Sequence, residues 1–176
     1  MANREALREL QSRLAERMQA ARTQERAASW LAVESAGHGF LFPLEQAGEI
    51  FATVPLLTVP HTQDWFLGVA NLRGGLHGVV DLAAFLGVKP AAAGAAAARE
   101  QSRLIAFNPN LNVNCALLVD RLAGLRSAPQ LQAAQADGRP RPPFVGSTWR
   151  DGDGRAWQEI RLAELAADPQ FLSIVG

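Results

Sequence analysis

Apolar side chains recur at intervals of three and four through the first part of the chain, then fall into short alternating runs from Trp30 onward. Residues 2 to 27 contain no Gly or Pro, and Leu7, Leu10, Leu14, Met18 and Ala21 form one stripe of an amphipathic helix. The remaining faces are dense in Arg and Glu, with Glu9 and Arg13 at a favourable i,i+4 spacing. Such a helix either packs on its own domain, stays loose at the terminus, or docks a partner. The body already contains the apolar runs that a core needs, which points the stripe towards docking or dimer formation rather than folding.

From Trp30 the pattern predicts sheet. WLAVESAGHGFLFPL reads as two strands around a Gly37-His38-Gly39 turn, where glycine supplies the positive φ of a tight hairpin. Further strands are expected at 50–54, 67–72, 76–82, 103–107, 113–119, 144–149 and 156–162. Seven or more short strands at close spacing argue for a sandwich or barrel. In the second of the central strands, Leu76, Gly78, Val80 and Leu82 share one face, and His77, Val79 and Asp81 the other. PAAAGAAAA at 90–98 reads as a mobile loop, and RPRPP at 139–143 as a stiff, extended spacer.

Composition narrows the function. The 176 residues, 48% of them hydrophobic, suit one domain or two small subdomains with a shared core. Lys plus Arg and Asp plus Glu each total 17, so there is no basic excess of the kind that drives nucleic-acid binding. Lys89 is the only lysine, a bias read as compositional. No export signal and no eighteen-residue apolar stretch is evident, and a lone Cys115 suits a reducing cytoplasm. The expectation is a cytoplasmic protein without direct membrane insertion.

Candidate chemistry is sparse. The Gly-rich stretch FLGVANLRGGLHGVVDL, 66–82, is neither GxxxxGK[ST] nor GxGxxG. Its glycines instead suit two strands joined by an Arg73-Gly74-Gly75 turn. His61, His77 and Asp81, with Asp64, are the residues that could suggest a small metal-dependent hydrolase, at a spacing that is not diagnostic. Cys115, within CALLV, reads as a small buried hydrophobe. Asp151-Gly152-Asp153-Gly154 faintly suggests a calcium loop but lacks the distal glutamate, and a hairpin turn is preferred. No catalytic residue, cofactor or metal is expected.

The segment FLGVANLRGGLHGVVDLAAFLG resembles the signature of the CheW-like domain family, with Gly68, Val69, Asn71, Leu72, Arg73, Gly74, Asp81, Leu82 and Gly87 in place. FLFPLEQAGEI, LLTVP and CALLVDRLAGL extend the likeness, which covers about residues 30 to 165, while Gly78 stands where the family commonly has proline. The ending AWQEIRLAELAADPQFLSI and the long N-terminal helix are more similar to the PilI branch, which serves chemotaxis-like systems controlling type IV pili. The resemblance implies a mainly β fold of two SH3-like five-stranded β-barrel subdomains sharing a core, with residues 1–27 as an N-terminal helix and 28–176 as the CheW-like domain. It implies a noncatalytic adaptor at receptor arrays, joining a chemoreceptor's cytoplasmic tip to the regulatory domain of a CheA-type histidine kinase. A flagellar chemotaxis coupling protein is the alternative within the family. The partner-binding residues it implies are Glu49, Gly68, Val69, Asn71, Leu72, Arg73 and Gly74, with Glu49 and Arg73 as a carboxylate–guanidinium pair near the receptor groove.

Overall fold

A computed structural model describes residues 2–25, 28–88 and 100–176. The alanine-rich run at 90–98 therefore lies outside the described residues, as do Lys89 and the last two positions of the expected N-terminal helix. That helix, α1 (Ala2–Glu25), precedes eleven strands among the described residues. They are β1 (Ser29–Ser35), β2 (His38–Pro43), β3 (Ala47–Ala52), β4 (Phe66–Leu72), β5 (Gly75–Asp81), β6 (Arg103–Phe107), β7 (Cys115–Val119), β8 (Arg121–Ser127), β9 (Gln132–Ala133), β10 (Val145–Arg150) and β11 (Ala156–Ile160). Three short helices complete the body: α2 (Leu82–Phe85), α3 (Leu162–Ala166) and α4 (Pro169–Leu172).

The strands form two sheets, ordered β8-β1-β2-β11-β10-β9 and β3-β6-β7-β5-β4. Each is antiparallel except at one pairing, β2 with β11 in the first and β5 with β7 in the second. The first sheet thus carries a sixth strand, the two-residue β9, beyond the five expected. Each sheet contains one tight hairpin of the same type: Ala36 and Gly37, between β1 and β2, and Arg73 and Gly74, between β4 and β5, each have positive φ at both central positions. The first turn is therefore centred one residue earlier than expected, and Gly39 lies within β2. Its bare Cα is needed there, because a Cβ would come within 2.6 Å of the Trp157 ring on the parallel neighbour β11.

The period-2 alternation of the strands builds three apolar clusters. In β1, Trp30 and Ala32 face the interior of the first barrel with Leu41, Leu131 and Trp157. Leu31 and Val33 face the other way, into a core shared with Ile105, Phe107, Cys115, Leu117 and Val119 of the second sheet. In β6, Leu104 and Ala106 fill the second barrel with Ala70, Leu72, Val79 and Ala116. Phe171 of α4 enters the shared core, stacked between Trp65 and Phe107 with interplanar angles of 9° to each.

Several expectations move by a turn or an element. The last expected strand, 156–162, ends at Ile160, and Leu162 opens α3. The strand expected from Val113 starts at Cys115, after a 3-10 turn at Pro109–Leu111 and a left-handed Asn112. β8 escapes sequence reading because it is an edge strand with no clean alternation, bulged against β1 and exposing Leu125. Residues 139–143 link β9 to β10, as a spacer should, and Arg141 within them donates to Asp137, Thr148 and Gln158.

One charged cluster ties β1 and β8 to the turn before β11. Glu34, on β1, accepts from Arg121 Nε at 2.8 Å and pairs with Arg155. Arg155 lies over the Trp157 ring at 4.6 Å from its centroid. Burial raises the Glu34 carboxyl, and the hydrogen bonds and charges of Arg121 and Arg155 more than offset it, leaving the group below its ordinary value.

A candidate partner-binding surface at the barrel seam

The second sheet closes on itself where its two edge strands, β3 and β4, approach. Residues 53–58 form the strap across that gap. Leu57 exchanges two backbone hydrogen bonds with Val69 of β4, both 2.9 Å, while Val54 and Leu56 pack into the barrel. The strap comes this close only because residue 68 lacks a side chain. Gly68 has a φ of +132°, and a Cβ there would stand 2.3 Å from the Leu57 carbonyl oxygen.

Above the strap, Arg73 Nη2 donates to Glu49 Oε1 at 2.6 Å, so one ion pair spans the seam from the β4–β5 turn to β3. Both partners face solvent, with side-chain exposures of 76% and 43%. An ion pair this open contributes about 0–1 kcal/mol to stability. What it supplies instead is an oriented guanidinium with donors left over for an incoming acceptor. The elements that carry the pair also expose apolar side chains: Ile50 on β3, Leu76 opposite Asn71 on the hairpin, and Leu57 on the strap. Leu76 is open because β7 covers β5 only from Gly78 onward.

The sequence-derived residues divide into two groups here. Glu49, Asn71, Arg73 and Gly74 are exposed, and Val69 is half-buried at the strap. Leu72 is 3% exposed and lies inside the second barrel, so its contribution is packing rather than contact, a correction that strand alternation explains. Gly68 is likewise buried, and its role is the close approach of the strap. Gly75 opens β5 without positive φ, leaving Arg73 and Gly74 as the turn's central pair. Nothing in the sequence marks Ile50, Leu57 and Leu76 as surface residues, since apolar strand positions read by default as core.

The residues whose types could suggest metal or acid–base chemistry have separate duties. His77 Nδ1 lies 3.0 Å from the Gly75 carbonyl, Asp81 caps α2 through Ala84 N at 3.1 Å, and His61 and Asp64 are exposed on the loop before β4. No group of three His, Cys, Asp or Glu side chains suited to a metal ion occurs among the described residues. Cys115 is buried, and burial pushes its thiol up to about 12. The Asp151 loop is a hairpin turn between β10 and β11: Trp157 Nε1 donates to the Asp151 carboxylate, as do the amides of Arg155 and Asp153. Those bonds hold the carboxyl below the usual aspartate range. No described helix is long and apolar enough to cross a membrane.

Comparison with known proteins places this architecture. The chain is 31% identical to Protein PilI of Pseudomonas aeruginosa over 108 residues, 60% of this chain and 57% of that one, so the match spans little more than half of the relative's length. A 43-residue stretch, 24% of this chain and 28% of the relative, is 49% identical to a probable chemotaxis protein CheW of Rhizobium etli. The fold is similar to the scaffolding protein TtCheW from Thermoanaerobacter tengcongensis, with a TM-score of 0.62 at 19% identity, covering 77% of this chain and 85% of that one. The CheW-like domain model matches residues 29–170, from the first residue of β1 into α4. With four-fifths of its length so matched, the chain belongs to the CheW-like domain family.

Proposed function

We propose that this chain is a noncatalytic adaptor that couples the cytoplasmic tip of a chemoreceptor to the regulatory domain of a CheA-type histidine kinase, in a chemotaxis-like system controlling type IV pili. The observation that carries the reading is the Arg73–Glu49 pair, solvent-open at the barrel seam, on elements that also expose Ile50, Leu57 and Leu76. Apolar side chains around one oriented arginine are the composition of a protein-docking hot spot. Glu49, Val69, Asn71, Arg73 and Gly74 form its working face, with Gly68 and Leu72 beneath as support. The likeness to PilI favours the pilus pathway, and the shorter likeness to CheW keeps flagellar chemotaxis as the second reading. Residues 28–176 constitute the coupling domain, at work in the cytoplasm beside membrane receptors.

The test is calorimetric titration of wild type, Arg73→Ala and Arg73→Lys with the receptor tip and, separately, with the kinase regulatory domain. Arg73→Ala should melt close to wild type, because the pair is exposed. It should lose affinity by about 2 kcal/mol, roughly 30-fold, and Arg73→Lys should restore only part because it lacks the planar fork. Native affinity of the alanine variant for both partners would remove Arg73 from the site.

A further inference from the structure

Between β9 and β10 every residue from 135 to 143 is open to solvent, the longest such run in the body among the described residues. Its second half, Arg139-Pro140-Arg141-Pro142-Pro143, has little conformational choice. Each proline fixes its own φ, and Arg139, Arg141 and Pro142 each precede a proline, which turns them away from helical backbone. Covalent geometry alone therefore sets 139–142 into the three-residue repeat of a polyproline-II helix. The contacts agree with that repeat. Arg141 and Phe144, three apart, both turn to the body: Arg141 donates to Asp137, Thr148 and Gln158, and Phe144 is 5% exposed in the shared core. Pro140 with Pro143, and Arg139 with Pro142, are the two faces left to solvent. The run is held at both ends, since Ala134 N donates to the Thr148 carbonyl and Arg161 N to the Phe144 carbonyl, both at 2.8 Å.

We propose that 139–143 is a preformed ligand for a partner protein whose groove has two slots walled by aromatic side chains and a carboxylate beside them. The dipeptides Arg139-Pro140 and Pro142-Pro143 stand one helical repeat apart, roughly 9 Å on a rise of about 3.1 Å per residue, and such pairs seat in adjacent aromatic slots. The residue between them, Arg141, is the one tied to the body, so nothing the partner must grip is hidden. Charge selects the third element of the groove. Arg141 is answered by Asp137 at 2.9 Å, whereas Arg139 reaches Asp137 only through its backbone N–H, and its guanidinium makes no hydrogen bond or ion pair among the described residues. A second copy of this chain cannot supply the groove: it has no tyrosine, and none of its tryptophans and phenylalanines, all of them described, is exposed. A nucleic acid would require more than one unanswered arginine and a stacking aromatic beside it. This surface lies on the first sheet, whereas Arg73 and Glu49 belong to the second, and it does not rest on the coupling reading.

The experiment titrates the isotope-labelled full chain, followed by NMR, with isolated SH3 domains whose aromatic grooves adjoin an acidic loop, and with the same domains carrying lysine in place of those acids. The acidic-loop domains should shift the amides of Gly138, Arg139 and Arg141 saturably and bind about fivefold more tightly than the lysine forms, a difference that shrinks as salt rises from about 0.05 to 0.5 M. Pro140→Ala with Pro143→Ala should abolish binding. Arg139→Glu should reverse the preference towards the lysine forms, which misfolding could not produce. A synthetic peptide of residues 137–145 should bind about threefold more weakly than the chain, because its ends are not held. No saturable binding by any acidic-loop domain, binding indifferent to the prolines, equal affinity for the acidic and lysine forms, or a peptide that binds as well as the chain would each overturn the proposal.

Discussion

Replacing Gly68 with alanine places one methyl group where the fold has no room for it. The backbone at that position has a φ of +132°, which an L side chain rarely adopts, and the new Cβ would lie 2.3 Å from the Leu57 carbonyl oxygen and 2.9 Å from its carbon. Neither strand can retreat alone, because Leu57 and Val69 are joined by two backbone hydrogen bonds of 2.9 Å. The strain costs about 1–3 kcal/mol. Lifting the strap would forfeit two hydrogen bonds at about 1 kcal/mol each. The expected loss is therefore about 3–5 kcal/mol, which for a domain of this size lowers Tm by roughly 6–20 °C. Gly74→Ala is the control, since its φ is +77° but a Cβ there meets nothing within 4 Å, leaving only conformational strain of about 1–2 kcal/mol. Urea and thermal unfolding of the two variants, side by side, decide the matter. If Gly68→Ala is no less stable than Gly74→Ala, the strap does not close the barrel in solution as described.

Three other expectations follow from features away from the seam. Glu34→Gln should destabilise by about 1 kcal/mol at pH 7 once the exposure of its arginine partners is discounted. Because the folded carboxyl lies below its unfolded value of about 4.3, the contribution is fully present above that pH and is lost as pH falls through the folded value. Wild type should therefore lose more Tm than the variant between pH 5 and 3, and parallel curves would refute the role of the cluster. Cys115 should resist iodoacetamide at pH 8 until the protein unfolds, since its thiol titrates at about 12, and fast native-state labelling would contradict its burial. Deleting residues 1–26 should leave a cooperative transition with Tm within about 2 °C, as α1 contributes no described side chain to the core; loss of the transition would make the helix part of the fold.

How far the sequence revealed this depended on how local each signal was. The hairpin around Arg73 was readable because Arg-Gly sits between two apolar runs, and a two-residue turn of that hand admits few other residues. β6 was found to the residue, since RLIAF is apolar on both faces and serves two cores at once. β8 and β9 were not found, because edge strands are specified by their neighbours rather than by their own pattern. The ion pair of Glu49 with Arg73 followed from a family likeness alone; nothing in the spacing of two residues twenty-four apart foretells which edges of a sheet will meet. The exposure of Leu76 is hidden in the sequence for a related reason. Leu76 alternates correctly with Val80 and Leu82, and only the starting point of β7 leaves it uncovered.

The order of strands has a mechanical meaning. The first barrel is made from both ends of the body, β1 and β2 before the second barrel and β8 to β11 after it, so the second barrel is an insertion within the first. The chain crosses out through Leu44–Gln46 and back through Asp120 alone. Both crossings are pinned: Gln46 accepts from Asn108 N and Ala163 N, and Asp120 accepts from Ala36 N at 2.7 Å. Two such short, anchored struts leave no residues to serve as a hinge. A load applied to the seam of one barrel must reach the other through the shared apolar core, and the protein behaves as a gauge block that fixes the separation and angle of whatever grips its two halves.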